Sequence, residues 1–337
     1  MFSNRRSRMK LAGFLMVVVV GAAAAVAAVA GTASAGGAGG SVPRIVFVSG
    51  PLTDSFFPPL YNGAKQAAHD LGIKFNYIPI NEADIEQSSA QTMQAAIAQH
   101  PDALVVGDFV TPVVDPLIKQ AIKKGIPVYV DQSGQDQWQA DGAFGFIGQQ
   151  GPATGQAGGR ELIKDGVKHA LCVNNVPGNP YLTKICMGLA AAMKAAGGDS
   201  VMLPLPTADS TDPQKVTQDI GAFLASHKSI QGILCENAAV GSDAVTAAQQ
   251  ANRKVHIGTL ALSKQTISQL QSGQLDFLIN EQPYLDGYLG MLFAYTYAKY
   301  GLSPIGAVAT GPAIVDKSNL AKILSVVKKY PGVLGST

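Results

Sequence analysis

The chain has 337 residues, 25 Lys and Arg against 23 Asp and Glu, a formal net charge of +2, and a composition that is 47% hydrophobic. The balance of charge, with no basic tract beyond the first ten residues, argues against nucleic acid as a partner. The length exceeds what one compact core usually holds, about 250–300 residues, so two domains are expected.

The chain opens with Arg5, Arg6, Arg8 and Lys10, then an Ala- and Val-rich run from Leu11 to Ala30, then Ala33-Ser34-Ala35. A basic start, an apolar stretch and a small-residue cleavage pattern form an export leader over residues 1–35, with residues 36–42 as a Gly-rich flexible linker. The alternative is that the run stays uncleaved as a membrane anchor, since about 20 apolar residues suffice to span a bilayer. Arg5-Arg6 permits a twin-arginine route. No cysteine lies near the cleavage point to take a lipid. Losing the leader removes four positive charges and no acid, which turns +2 into −2.

The first segment beyond the linker, Ile45-Val46-Phe47-Val48-Ser49-Gly50-Pro51-Leu52-Thr53-Asp54-Ser55-Phe56-Phe57, runs from an apolar strand through a small polar loop to two aromatics. A loop at the carboxyl end of a parallel strand faces the crevice where open α/β sheets bind small molecules. Ser49 and Asp54 can bond a polar solute there, and Phe56 or Phe57 can stack on its apolar face. The competing reading is a helix start in which Phe57 plugs the core.

From Pro43 onward, short apolar runs alternate with segments of helical period, the layout of a parallel α/β fold. Strands are predicted at 44–48, 74–78, 103–106, 127–130 and 143–147, with helices at 57–71, 85–99 and 113–124. A second series follows, with strands at 170–174, 200–203, 232–235, 255–259 and 277–280 and helices at 151–164, 180–196 and 213–226. Each series suits one doubly wound domain. A long amphipathic helix over 284–300, a strand near Ala313-Ile314-Val315 and a terminal helix complete the chain. The helix after the second series has room to return to the first, so the chain is expected to cross between lobes more than once. Cys172, Cys186 and Cys235 are an odd set in a compartment that tolerates disulfides. Cys172 and Cys186, one loop and half a helix apart, are the preferred bridge; three buried reduced thiols are the alternative.

Catalytic patterns are missing. His69, His100, His169, His227 and His256 are scattered without metal-ligand spacing, and the sequence has no G-x-S-x-G elbow, phosphate loop or G-x-G-x-x-G after the first strand. No cofactor, metal or enzymatic activity is expected. Polar residues instead recur just past strands: Ser49 after the first, Asp108 after the third, Asp131 and Gln132 after the fourth, Asn237 after the strand ending in Cys235, and Glu281 and Gln282 after the strand ending near Asn280. If both sheets aim their carboxyl ends at one cleft, these groups converge on it. For each of them a helix N-cap or a turn is the competing role.

These residues resemble the sugar-type, type I periplasmic solute-binding proteins of ABC importers, the ribose- and galactose-binding group. The resemblance spans about Pro43 to Val333. It is carried by Val48-Ser49 to Phe56-Phe57, by Ile126-Pro127-Val128-Tyr129-Val130-Asp131, by the Cys172 to Cys186 stretch with Gly178-Asn179, by Cys235-Glu236-Asn237, and by Asn280-Glu281-Gln282-Pro283-Tyr284-Leu285-Asp286-Gly287-Tyr288. It implies two Rossmann-like lobes joined by a three-segment hinge, the first of 43–147 plus 283–305 and the second of 148–282 plus 306–337. It also implies closure of the lobes on a small sugar-like or polyol-like solute, delivery to an ABC permease, a monomer, and a place in the periplasm or cell envelope.

By the same resemblance, Asp54, Phe56 and Phe57 match first-lobe positions that bond and stack on a sugar, and Asp131 matches an aspartate that takes ring hydroxyls. Asn237 and Glu281 match a second-lobe asparagine and a hinge amide, and Asn179 joins them as a ligand residue. The chain departs from the family at Ile185, where many relatives carry arginine, and at Ala261 in Gly258-Thr259-Leu260-Ala261, where they carry aspartate. Loss of both would leave a less polar second-lobe wall and favour a less hydroxylated ligand. A sensor for a receptor kinase or chemoreceptor is the alternative function, and a hydrolase on the same scaffold is a third.

Overall fold

The computed structural model describes residues 42–334 except 207 and 305. The expected leader and residues 36–41 of the linker lie outside the described residues. Among the described residues, no helix is long and apolar enough to cross a membrane.

The first lobe begins with β1 (Arg44–Ser49), α1 (Phe57–Leu71), β2 (Lys74–Pro79) and a 3-10 turn at Glu82–Asp84. It continues with α2 (Ile85–Ala98), β3 (Ala103–Val106), α3 (Thr111–Lys123), β4 (Val128–Asp131) and β5 (Gly145–Gly148). Ile45 to Val48, Ala103 to Val106 and Val128 to Val130 are all fully buried. Runs with no polar alternation are what strands covered by helices on both faces require. Prolines in the first turn and Gly72 in the left-handed conformation at the end delimit α1.

The second lobe runs through α4 (Gly151–Lys164), β6 (His169–Asn174), α5 (Pro180–Ala195), β7 (Asp199–Pro204), α6 (Pro213–Ser226), β8 (Gly232–Cys235), α7 (Ala238–Gln250), β9 (His256–Leu260), α8 (Lys264–Ser272) and β10 (Phe277–Asn280). The remaining elements are α9 (Pro283–Tyr300), β11 (Ala307–Ala309), β12 (Ala313–Val315) and α10 (Leu320–Lys329).

Among the described residues the strands form two six-stranded sheets, β11-β5-β4-β3-β1-β2 and β12-β10-β9-β8-β6-β7. Every pairing is parallel except β12 against β10. Strand order reverses direction between β1 and β3 in the first sheet and between β6 and β8 in the second. Successive loops diverge at these points and leave a crevice at the strands' carboxyl ends.

The chain crosses between lobes three times, after β5, after β10 and between β11 and β12. The return by the long helix follows the expectation: Met291, Ala294 and Tyr295 of α9 sit in the core of the first lobe. The third crossing differs from the expected 305/306. Ala307 to Ala309 still pair in register with Phe146 to Gly148 of the first sheet. Ala-Val-Ala is too short an edge strand to carry a periodicity, so the sequence pattern had nothing to mark it. Val315 and Leu320 then complete the core of the second lobe.

Helix packing in both lobes depends on glycine. A Cβ on Gly63 of α1 would lie 1.9 Å from the carbonyl oxygen of Tyr284 in α9, and one on Gly155 of α4 would lie 1.8 Å from that of Ile185 in α5. Backbones at such separations admit no side chain.

Cys172 and Cys186 form the disulfide, and Cys235 is free and buried. The bridge ties β6 to α5 across a sequence separation of 14, and a loop of that size contributes about 3 kcal/mol by restricting the unfolded chain. Reduction is expected to lower the stability measured by urea unfolding by that order. An identical midpoint with and without dithiothreitol would rule this contribution out.

Candidate functional site

The crevices of the two lobes meet in one cavity of about 340 Å³. Its first-lobe wall is built from the loops after β1 and β3: Asp54, Phe56 and Phe57 from one, Phe109 from the other. The opposite wall comes from the loops after β6 and β8, which contribute Asn175, Asn179, Glu236 and Asn237. Both topological switch points therefore face the same space. Glu281, at the second crossing, also lines it.

Helix capping aims two side chains across the cleft. The Asn237 Oδ1 accepts from the Ala239 N–H at the start of α7, which leaves its Nδ2 to donate to Asp54 Oδ2 at 2.6 Å. Asn179 repeats the device at α5, with Oδ1 accepting from the Tyr181 N–H and Nδ2 donating to Ser133 Oγ at 3.2 Å. The capping role and the cleft role are thus held by the same residues, because a cap uses one end of the amide and frees the other. Lys184 of α5 also pairs with Asp136 of the first lobe. These contacts span the two lobes.

The aromatic wall is both core and site. Phe57 meets Phe56 edge-on with centroids 5.1 Å apart and Phe109 at 5.9 Å, and its ring fills the space over Gly50. The two roles of Phe56 and Phe57 hold together: their rings are buried among core residues and also line the cavity.

The cavity's acids are strongly perturbed. Burial pushes the Glu281 carboxyl up to about 7, against the hydrogen bond donated by the Tyr181 hydroxyl at 3.1 Å. Burial and the nearby Asp54 charge push Glu82 up to about 7 as well. Asp54 is raised by burial, opposed by the Phe56 N–H and by Asn237. Glu236 is raised well above its ordinary value of 4.5 by burial and then by the charge of Glu281.

A raised carboxyl binds its proton more tightly in the folded state than in the unfolded chain. The stabilisation from Glu82 and Glu281 is therefore fully present below about 4.5 and lost as pH rises through about 7. Urea unfolding of the free protein should show stability declining across this window by the order of 1–3 kcal/mol per group. A flat profile would contradict the buried placement of these acids.

Of the residues singled out from sequence, Asp54, Phe56, Phe57, Gln132, Asn179, Asn237 and Glu281 come together on the cavity, whereas Ser49, Asp108, Asp131 and Gln282 do not line it. Ser49 is buried at the end of β1, where its carbonyl accepts from the Ile80 N–H at 2.7 Å. Asp108 is buried beside Asp115 and Asp141, and burial with the Asp115 charge pushes it up to about 8.

Asp131 is the last residue of β4, paired in register with Ile147, and is fully buried; burial pushes it up to about 8. Its charge, after burial, helps to raise Asp286 of α9. Gln132 is the next residue, in the left-handed conformation with φ of 61°, and it lines the cleft. Gln132 thus lines the cavity where Asp131 does not, and both Asp131 carboxylate oxygens are buried without a partner among the described residues. Gln282 takes the left-handed position before α9, and its N–H donates to Asn280 Oδ1.

Ile185 is fully buried between α4 and α5 and does not reach the cavity, while Ala261 lines it. The second-lobe wall is consequently not apolar, since Asn175, Glu236 and Asn237 stand on it. Glu82, Phe109, Asn175, Tyr181 and Glu236 line the cavity without having been singled out from sequence. Glu82 and Asn175 lie just beyond β2 and β6, so the rule of polar residues past a strand would have found them had it been applied there. Glu236 directly follows Cys235, one position before Asn237.

Residues 45–302 match the model of a family described as a periplasmic binding protein domain. The xylose/arabinose-binding protein XylF of Sulfolobus acidocaldarius is 26% identical over 86% of this chain and 74% of its own. A solved carbohydrate transporter from Acidothermus cellulolyticus, in complex with myo-inositol, is 29% identical over 87% of this chain and 99% of that one, with a TM-score of 0.79. An ABC transporter solute-binding protein from Agrobacterium vitis, bound with alpha-D-tagatopyranose, shares the fold at 24% identity and a TM-score of 0.72, over 86% of this chain and 97% of that one.

Proposed function

The chain belongs to the periplasmic binding protein family, and we propose that it is an exported, monomeric binding protein that captures a small sugar or polyol between its lobes and delivers it to an ABC permease. The observation that carries this reading is a cavity walled by both lobes, in which Asn237 bonds Asp54 across the cleft. A solute that touches both walls favours the closed form, since only closure completes its contacts. The lobes that move are the two sheets with their helices, the first extending to β11 and the second resuming at β12.

Support for a hydroxylated ligand comes from the mixture of walls. The rings of Phe56, Phe57 and Phe109 offer an apolar face, and Asp54, Asn175, Gln132 and Glu281 offer polar edges. A pyranose or cyclitol ring has both. The named ligands of the relatives, xylose or arabinose in one and myo-inositol in another, are of this kind. Simple retention, without turnover, suits a cleft for which no nucleophile, base and orienting group can be named together.

The test is thermal unfolding of the purified protein with xylose, arabinose, ribose, glucose, galactose and myo-inositol, and with the amino sugar and amino-cyclitol counterparts of glucose and inositol. At least one should stabilise it in a concentration-dependent way, by about 2.7 kcal/mol at a hundredfold excess over the dissociation constant. No response to any of these would sink the reading. Recovery of a chemically altered solute would point to an enzyme.

A further inference from the structure

The cavity holds more acidic side chains than a neutral polyol requires. Asp54, Glu82, Glu236 and Glu281 all line it, and the described lining includes no lysine, arginine or histidine. The four stand in an electrostatic row: the charge of Asp54 acts on Glu82 and on Glu281, and that of Glu281 acts on Glu236.

An independent observation concerns what Glu236 lacks. It is only 6% exposed, yet among the described residues no group donates a hydrogen to its carboxyl. Its Oε1 lies 3.4 Å from Cys186 Sγ and 3.9 Å from Cys172 Sγ, but both sulfurs belong to the disulfide and carry no hydrogen. Its Oε2 has no partner among them, and on the same cavity Gln132 Oε1 and Asn175 Oδ1 are buried and unpartnered too. A buried acceptor without a donor is destabilising, and more so when charged. What this wall lacks is a donor, and what the row of acids lacks is a positive charge. A hydroxyl supplies only the first, whereas an ammonium supplies three donors and the charge together.

We propose that the ligand is a cationic member of the polyol class, a sugar or cyclitol bearing a protonated amine, with the ammonium seated against Glu236 and Glu281. This rests on the reading that the cleft holds a sugar-like solute. The ring's apolar face then lies toward Phe56 and Phe57, and its hydroxyls toward Asp54, Gln132 and Asn175. The titratable groups around the bound amine are Asp54 after β1, Glu82 in the 3-10 turn, Glu236 after β8 and Glu281 after β10, with the neutral Tyr181 hydroxyl of α5 and the buried Asp286 of α9 next to Glu281.

Isothermal titration with matched pairs tests this: glucosamine against glucose, and an amino-deoxy-inositol against myo-inositol. Near neutral pH one of the amines should bind about tenfold or more tightly than its parent, a difference of roughly 1.4 kcal/mol. The preference should shrink toward about pH 5.5 as Glu82 and Glu281 take up protons, Tyr181 staying protonated throughout. Glu236→Gln should bring the ratio of the pair toward one.

Equal or tighter binding of the neutral parents, or binding of any neutral sugar with neither amine, overturns the cationic assignment and leaves the sugar-binding reading standing. A preference untouched by Glu236→Gln overturns the proposed seat. Silence from both pairs and from every neutral sugar takes down the proposal together with the reading beneath it.

Discussion

Replacing Asp54 with alanine is expected to weaken binding of the protein's solute by about 30-fold or more, the effect of removing a hydrogen-bonded acid and leaving its donors unpaired, at about 2 kcal/mol. The carboxylate does two things at once. Its Oδ1 accepts from the Phe56 N–H at 2.7 Å and so holds the turn that presents Phe56 and Phe57, while its Oδ2 accepts from Asn237 across the cleft. Truncation therefore loosens the aromatic wall, removes a lobe-to-lobe contact of the closed form and leaves the Asn237 amide without its acceptor. Asp54→Asn keeps an acceptor for Phe56 while losing the charge and should fall between alanine and the native residue. Titration calorimetry on the solute that binds, with the unfolding temperature of each variant measured alongside, separates loss of site from loss of fold. An alanine variant that binds within about threefold of the native protein would remove Asp54 from the recognition site.

The largest expected effect on stability is at a glycine far from any charge. Gly155 lies where α4 crosses α5, and a Cβ there would stand 1.8 Å from the carbonyl oxygen of Ile185 and 2.7 Å from the amide nitrogen of Leu189. Both obstacles are backbone, which has no rotamer by which to yield. Gly155→Val should therefore cost about 3 kcal/mol or more, at or beyond the upper end for overpacking, because the two helices must separate. Gly221 in α6 is the contrast. Nothing lies within 4 Å of where its Cβ would stand, so Gly221→Ala should be neutral or stabilise by up to about 1 kcal/mol through helix propensity alone. Urea unfolding of the two variants beside the native chain makes the comparison, and a Gly155→Val midpoint equal to the native one would refute the close-packed crossing.

The site was legible in part, and the reason differs from residue to residue. Asp54, Phe56 and Phe57 could be found because they sit in one continuous stretch after an unmistakable strand. Asn179 and Asn237 could be found as polar residues ahead of helices, although capping alone would explain them. Their second role depends on where the free end of each amide points, which only the opposing lobe settles. Asp131 and Gln132 show the limit of a rule based on position. Both follow an apolar run, but the last strand residue is fully buried and the next one lines the cleft, so one residue along the chain separates a buried acid from an amide on the cavity. Asp108 obeyed the same rule and ended among Asp115 and Asp141 instead.

Glu236 illustrates a different loss of information. Its meaning comes from the disulfide beside it, which replaces any donor with two sulfurs that have none, and from Glu281, distant in sequence, whose charge reaches it.

The sequence by itself determined the alternating α/β order, the two-lobed layout, the local cysteine pair and the family, because apolar runs, helical periods and short motifs are properties of neighbours along the chain. Only the tertiary structure decided where the third crossing falls, which polar residues share the cavity, and that four acids line it with no described base to answer them. Those facts depend on distances between loops from both sheets. Their side chains are set by strand alternation and helix caps, and their carboxyls are shifted by burial that no single stretch of sequence contains.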